Sequence, residues 1–331
     1  MKDSIKRVQN KCTCFAEREN LRLKGKKLMI LMTVTLALGS CAEKQPTVQE
    51  GATKEQMALP FGEQLPSPPF SGEAYINRLI ATDSVYNFPA TNCITFAPGA
   101  HSQWHRHGAM TVVGISGIGL FQEEGKEPRL VYPGDVIDIP AGARHFHGAA
   151  QGNWFQQFVI YDDTWKTDAQ VDEDNTLTDE QYAALMPKEI SALAAHTDSL
   201  VFAPGDSLMS LPTFTGPIRL SNVLNDGNAA ASPGWHYVVF EPGVYNAWHT
   251  HAGGQILIVT DGIGYHQIEG QPVEVLRPGD VAKCPPGVKH WHGAAPGSRF
   301  AHIATNTNPD KPGVEWFDFL SKEEYEKLPK E

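Results

Sequence analysis

The chain is poor in cysteine, with five in 331 residues, and three of these (Cys12, Cys14 and Cys41) fall near the start. The other two, Cys93 and Cys284, do not correspond between the two halves described below; their counterparts are Tyr237 and Ile139. A disulfide framework is therefore excluded, and both read as small buried hydrophobes. Basic charge is also scarce, with 27 Lys and Arg against 38 Asp and Glu and a net charge of −11. An acidic chain repels phosphate backbones and anionic lipid surfaces, so nucleic acid is a poor partner. Long apolar runs are missing too. Leu28–Leu38 falls short of the roughly 20 residues that a membrane-spanning helix needs.

That run follows the basic stretch Arg22–Lys27 and ends in Leu38-Gly39-Ser40-Cys41. A basic flank, a short apolar segment and small residues before a cysteine read as a secretory signal, and the ending resembles a bacterial lipoprotein box. The expectation is a signal over 1–40, a lipidated Cys41 as the sole membrane attachment, and residence in a bacterial cell envelope. Residues 1–40 hold nine Lys and Arg against three Asp and Glu, so their removal takes the charge from −11 to −17. The polar, Pro/Gln/Glu-rich stretch 41–69 reads as a tether.

What is abundant is glycine and proline, 30 and 24 residues, placed between short apolar runs. The chain also states one pattern twice. PGAHSQWHRHGAMTVVGISGIG around Trp104 returns as PGVYNAWHTHAGGQILIVTDGIG around Trp248, and YPGDVIDIPAGARHFHGAA returns as RPGDVAKCPPGVKHWHGAA. The offset is 144 residues at His105/His249 and 145 at His145/His290. Evenly spaced turn signals argue for one all-β barrel or sandwich per copy. Each copy closes with a capping box, Thr178–Gln181 and Ser321–Glu324, which predicts a short terminal helix. The domains are then 70–187 and 213–331, joined by a linker over 188–212 with a short helix at Glu189–His196.

Eight of the 13 histidines fall at matched positions: His105, His107, His145 and His147 against His249, His251, His290 and His292. A His-x-His pair on a strand points both rings to one face, and two such pairs on facing strands converge inside a barrel. In the second copy the spacings Gly243-x5-His249-x-His251-x3-Gln255-x6-Gly262 and Gly279-x5-Pro285-x-Gly287-x2-His290 resemble the two cupin motifs. Gln255 stands where those motifs usually carry Glu. The resemblance implies two tandem cupin barrels of the double-stranded β-helix, jelly-roll-like kind. It implies a divalent transition metal held by His249, His251, Gln255 and His290. Nitrogen plus one oxygen suits Mn, Fe, Ni, Zn or Cu alike.

The copies differ where reactivity would lie. The first has lost one residue after His107, which puts Met110 opposite Gln255; His105, His107 and His145 remain as a weaker second site. His302 in the second copy faces Gln157 in the first, and a histidine can move a proton where a glutamine cannot. The second copy as a whole resembles the small manganese-dependent cupins that include bacterial hydroxynitrile lyases. This implies manganese, His302 acting on a substrate hydroxyl, and His292 lining the pocket.

The expected activity is a metal-dependent lyase or isomerase working in the second barrel on a small hydroxy, oxo or sugar-like molecule. No organic cofactor is implied. Two other readings stand beside it: an O2-using dioxygenase, and a surface lipoprotein that binds carbohydrate on Trp104, Trp248 and Trp291. Pairing of barrels through sheet edges makes a homodimer the default.

Overall fold

A computed structural model describes residues 51–161, 175–187 and 200–330. The signal segment, Cys41, the tether up to residue 50 and the helix expected at Glu189–His196 lie outside the described residues. Among the described residues, no helix is long and apolar enough to cross a membrane.

Each copy folds as two antiparallel sheets. In the first, one sheet runs in the order Glu63–Gln64, Ala74–Ile80, Thr91–Phe96, Phe155–Tyr161, Met110–Gly117, Val136–Ile139. Its companion runs Phe70–Ser71, His101–Ser102, His145–Ala149, Gly119–Glu123, Arg129–Val131. The second copy repeats this with Ile218–Leu224, Trp235–Phe240, Phe300–Asn306, Gln255–Gly262, Val281–Cys284. Its other sheet is Glu274–Leu276, Gly264–Ile268, His290–Ala294, His249–His251, Val314–Trp316. The crossing between sheets is made at Gly117 and Gly262, both with positive φ. A Cβ there would lie 1.7 Å from the carbonyl oxygen of Trp154 or of Arg299, so only glycine fits.

The period of two along the central strands sorts side chains between two cores. Val113, Ile115, Phe158 and Ile160 face outward, as do Ile256, Ile258, Ala301 and Ile303 of the second copy; together they form one cluster between the barrels. The alternate residues, Val112 and Val159 in one and Leu257 and Val259 in the other, line the interiors. By the same alternation His302, between Ala301 and Ile303, points inward. The barrels thus pack through sheet faces within one chain. Reciprocal loops fasten the seam. The Ala229 backbone N–H donates to Asp138 at 3.0 Å, and the Asn308 amide donates to the Val85 carbonyl at 3.0 Å.

Two segments expected to be outside the domains are built into them. Residues 51–69 are not a tether: Leu59 is buried and exchanges hydrogen bonds with the Gln156 amide, and Glu63–Gln64 add an edge strand. In the expected linker, Leu200, Val201 and Phe202 fill the inter-barrel core and Met209 pairs with Ile218. Burial explains both, since these apolar side chains cover outward sheet faces that water would otherwise wet.

Both capped helices form, at Asp179–Ala184 and Lys322–Glu326, each with its capping box complete. Their buried tyrosines tie them to matched strands. Tyr182 donates to the Ala149 carbonyl at 2.9 Å and Tyr325 to the Ala294 carbonyl at 2.5 Å.

Trp235 sits at the centre of the seam, fully buried and edge-on to Phe158 with ring centroids 5.4 Å apart; its Nε1 has no partner. Trp235→Ala should therefore cost about 3–5 kcal/mol by leaving a cavity. Trp235→Phe should cost far less, since no hydrogen bond is lost. Urea midpoints of the two variants, which should separate clearly, check this.

Candidate metal centre

The sheet register explains why the histidines meet. His249 is the direct antiparallel partner of His290, and His105 is the partner of His145 with both bridge hydrogen bonds at 3.0 Å. Directly opposed residues send side chains to the same face, so each bridge delivers two imidazoles to one point inside its barrel. Ring centroids are 4.1 Å apart for His249 and His290 and 4.3 Å for His105 and His145. His251 stands 5.1 Å from His249 and 5.6 Å from His290, ring to ring. Gln255 closes the group, its Oε1 lying 3.0 Å from Nε2 of His290.

The backbone sets which nitrogen is free. Nδ1 of His249 donates to the Ala247 carbonyl at 2.9 Å, that of His105 to Gln103 at 2.8 Å, and that of His145 to Ala143 at 2.9 Å. Each ring thereby turns an Nε2 lone pair inward, as a metal-binding imidazole requires. Burial also holds these rings neutral. It lowers His249 to about 3 and His251 to about 4, with His290 pushed down as well by burial and by His249.

The donor atoms of His249, His290 and His292 lie within 4.8 Å of one another, as do those of His105, His145 and His147. His292, however, has both nitrogens engaged: Nε2 with the Asn246 amide at 3.0 Å and Nδ1 with Nε2 of His302 at 3.1 Å. His251 is buried with neither nitrogen partnered. A bare lone pair beside two inward Nε2 atoms and an amide oxygen is a donor set that fits a divalent ion, and it favours His251 over His292 as the third imidazole.

The pair His292–His302 has a defined proton arrangement. Asn246 Oδ1 accepts from the His292 backbone N–H at 2.9 Å, so its Nδ2 must face the ring and donate to Nε2. His292 is then protonated on Nδ1 and donates to His302. Burial lowers His302 to about 4. In the first barrel Ser102 replaces Asn246 against the His147 backbone N–H, and the Gln157 amide caps Nδ1 of His147.

Two features escaped the sequence reading. His266 is buried inside the second barrel, in register with His292, its ring 5.5 Å from His290 and its Nε2 unpartnered. Its Nδ1 is 2.6 Å from Glu274. The matched residues are Phe121 and Arg129, paired in the same register of the first barrel. Cys284, read as a plain hydrophobe, also lies 2.9 Å from Nδ1 of His290. The unmatched His266/Phe121 and Cys284/Ile139 pairs were the available signals.

The tryptophans are packed rather than open platforms. Trp291 is fully buried, Trp248 meets it edge-on, and Trp104 is wedged between Phe146 and the Arg144 guanidinium.

A cupin domain model matches residues 236–303. The (R)-mandelonitrile lyase of Granulicella tundricola is 45% identical over 112 residues, covering 34% of this chain and 85% of the lyase. The chain belongs to the cupin family. It is a bicupin whose second domain is lyase-like. Among solved structures, a cupin-like protein from Thermotoga maritima MSB8 is 42% identical, covering 38% of this chain and 95% of its own, with a TM-score of 0.36. Oxalate decarboxylase from Bacillus subtilis is 15% identical, covering 74% of each chain, with a TM-score of 0.44.

Nine histidines of this cupin are held below their ordinary value, chiefly by burial. As pH falls below about 6.5 the unfolded chain gains protons that the fold refuses, at about 1.4 kcal/mol per pH unit for each ring. Metal-free protein should thus be stable above pH 7 and lose stability steeply as pH drops toward 5. Urea titrations at pH 7.5 and 5.5 should differ strongly; equal midpoints would contradict neutral burial.

Proposed function

We propose that the second barrel is the active site of a metal-dependent lyase that cleaves a bond next to the hydroxyl carbon of a small 2-hydroxy compound, with 2-hydroxynitriles as the leading class. One observation carries this reading: the inward His292–His302 pair lies beside the His249, His251, Gln255 and His290 cluster, and the first barrel has Gln157 in place of His302. The likeness to a mandelonitrile lyase supports the substrate class. Manganese is the metal that the resemblance favours.

A divalent ion bound at the cluster would polarise the substrate hydroxyl and make its proton more acidic. Gln255 is neutral, so less of the ion's charge is cancelled than with a carboxylate. The remaining chemistry belongs to the protein. The lone pair on Nε2 of His302 is the acceptor, and the substrate O–H must displace the Nδ1–H of His292 to reach it. His302 takes that proton, the O–H electrons form the carbonyl, and the adjacent C–C bond breaks with its electrons leaving on cyanide. His302 then returns the proton to the leaving group, so aldehyde and hydrogen cyanide are released and the ring is regenerated. Asn246 keeps His292 in the tautomer that donates toward His302, which orients the acceptor nitrogen. A cavity of about 230 Å³ reaches the cluster at His251 and is walled by polar residues such as Asp226, Asn306 and Lys311.

The test is aldehyde release from mandelonitrile, with metal content measured on the same samples. His302→Gln installs the first barrel's residue and should lower kcat about 100-fold or more while metal is retained. His290→Ala should lose metal and turnover together. Full activity in His302→Gln would sink the mechanism, and a requirement for O2 would point to oxygenase chemistry instead.

A further inference from the structure

The first barrel is more than a weakened copy of the second. Nδ1 of His107 donates to the Gly108 carbonyl at 2.6 Å and Nδ1 of His145 to Ala143 at 2.9 Å, so both rings turn lone pairs inward. Those two Nε2 atoms face each other at 3.1 Å. At that distance the two nitrogens converge on one point of the interior. Nitrogens bound to one ion at about 2.0–2.1 Å come this close at ligand angles near 100°. His105 is bridged to His145 and completes the imidazole set.

The fourth position is where the barrels part in kind. Met110 pairs with Ile139 and Tyr161 in the register where Gln255 pairs with Cys284 and Asn306. It is buried and lines the same cavity as His105 and His107, a space of about 300 Å³. Among the described residues, the rest of that lining is apolar apart from Ser102, His147 and the Tyr161 hydroxyl, and none is a carboxylate. The neighbourhood shifts the same way: Phe121 and Arg129 stand where the second barrel has His266 and Glu274. Three imidazoles and a thioether, in surroundings whose described residues are mostly apolar and carry no anion, disfavour a doubly charged hard ion. They suit a singly charged soft one, whose desolvation is several-fold cheaper.

We propose that the first barrel is a cuprous site formed by His105, His107, His145 and Met110, separate from the divalent site of the second barrel. The bicupin then carries two metals of different kind, and the loss of one residue after His107 is what substitutes sulfur for oxygen at the fourth ligand position. The assignment stands on the first barrel's own geometry and does not require the lyase reading.

Full-length protein is loaded anaerobically with one equivalent of Cu(I) and titrated with a cuprous chelator, and copper X-ray absorption is recorded. A sulfur neighbour should be seen. Met110→Gln should remove it and weaken Cu(I) binding about tenfold or more. Met110→Leu, which keeps the apolar volume, should lose the sulfur signal equally. His290→Ala should leave Cu(I) affinity unchanged. A wild-type copper spectrum without sulfur, a sulfur signal that survives in Met110→Gln, or Cu(I) lost in His290→Ala would each overturn the proposal.

Discussion

The cross-strand histidine bridge is the constraint on which both barrels depend. His249 against His290 and His105 against His145 are forced onto one inner face by antiparallel pairing, whatever else the barrel does. Interior imidazoles are tolerable only when neutral, and burial keeps them so. Neutrality leaves one N–H and one lone pair per ring. The carbonyl two residues back takes the N–H in His249, His105 and His145, so the lone pair is fixed inward before any ligand arrives. A metal site is the cheapest way to use lone pairs that have been desolvated already. Orientation that is set by main chain also survives changes in neighbouring side chains, which lets the two copies diverge chemically on one scaffold.

The inter-barrel seam serves the same end. Outward faces of the central sheets are as apolar as the inward ones, so an isolated barrel would expose Val113, Ile115, Phe158 and Ile160 to water. Fusing two copies covers both faces at once and encloses the central strands, which carry His302 and present Met110 and Gln255 at their ends. Residues 51–69 and 200–202 extend that cover. Rigid central strands matter because a donor misplaced by an ångström is lost to coordination.

Sequence patterns recorded the parts that depend on short-range geometry. The Gly–Pro turn grammar and both capping boxes translate directly into local backbone. The second His-x-His pair forms the strand His249–His251, whereas in the first copy His105 makes only an isolated bridge to His145 and His107 follows it outside any strand. The inward direction of His302 was also legible, because parity along a strand is fixed. Segment 51–69 is polar on average, and the buried Leu59 decides its fate; segment 200–212 lies between the two copies, and Leu200, Val201 and Phe202 draw it into the seam. His266 with Glu274 and Cys284 with His290 were hidden for a different reason. Each contact spans strands whose register only the fold supplies, and the other copy carries an apolar residue, Phe121 or Ile139, at the matched position. The preference for His251 over His292 as a donor was already implied by the motif resemblance; its physical reason, Asn246 fixing a tautomer through two hydrogen bonds to one residue, was beyond spacing.

That tautomer distinguishes the copies more sharply than the ligand lists do. In the second barrel, Asn246, His292 and His302 form a directed chain in which Asn246 donates to His292 and His292 to His302, ending on a titratable ring. In the first, Ser102 contacts only the main chain of His147, and Gln157 caps the ring with an amide that cannot titrate. Restoring a histidine at Gln157 alone would therefore not recreate a proton-moving pair, because nothing at Ser102 sets the tautomer of His147. Reactivity here is a property of the ordered triple, and the amide that orders it is the least conspicuous of the three.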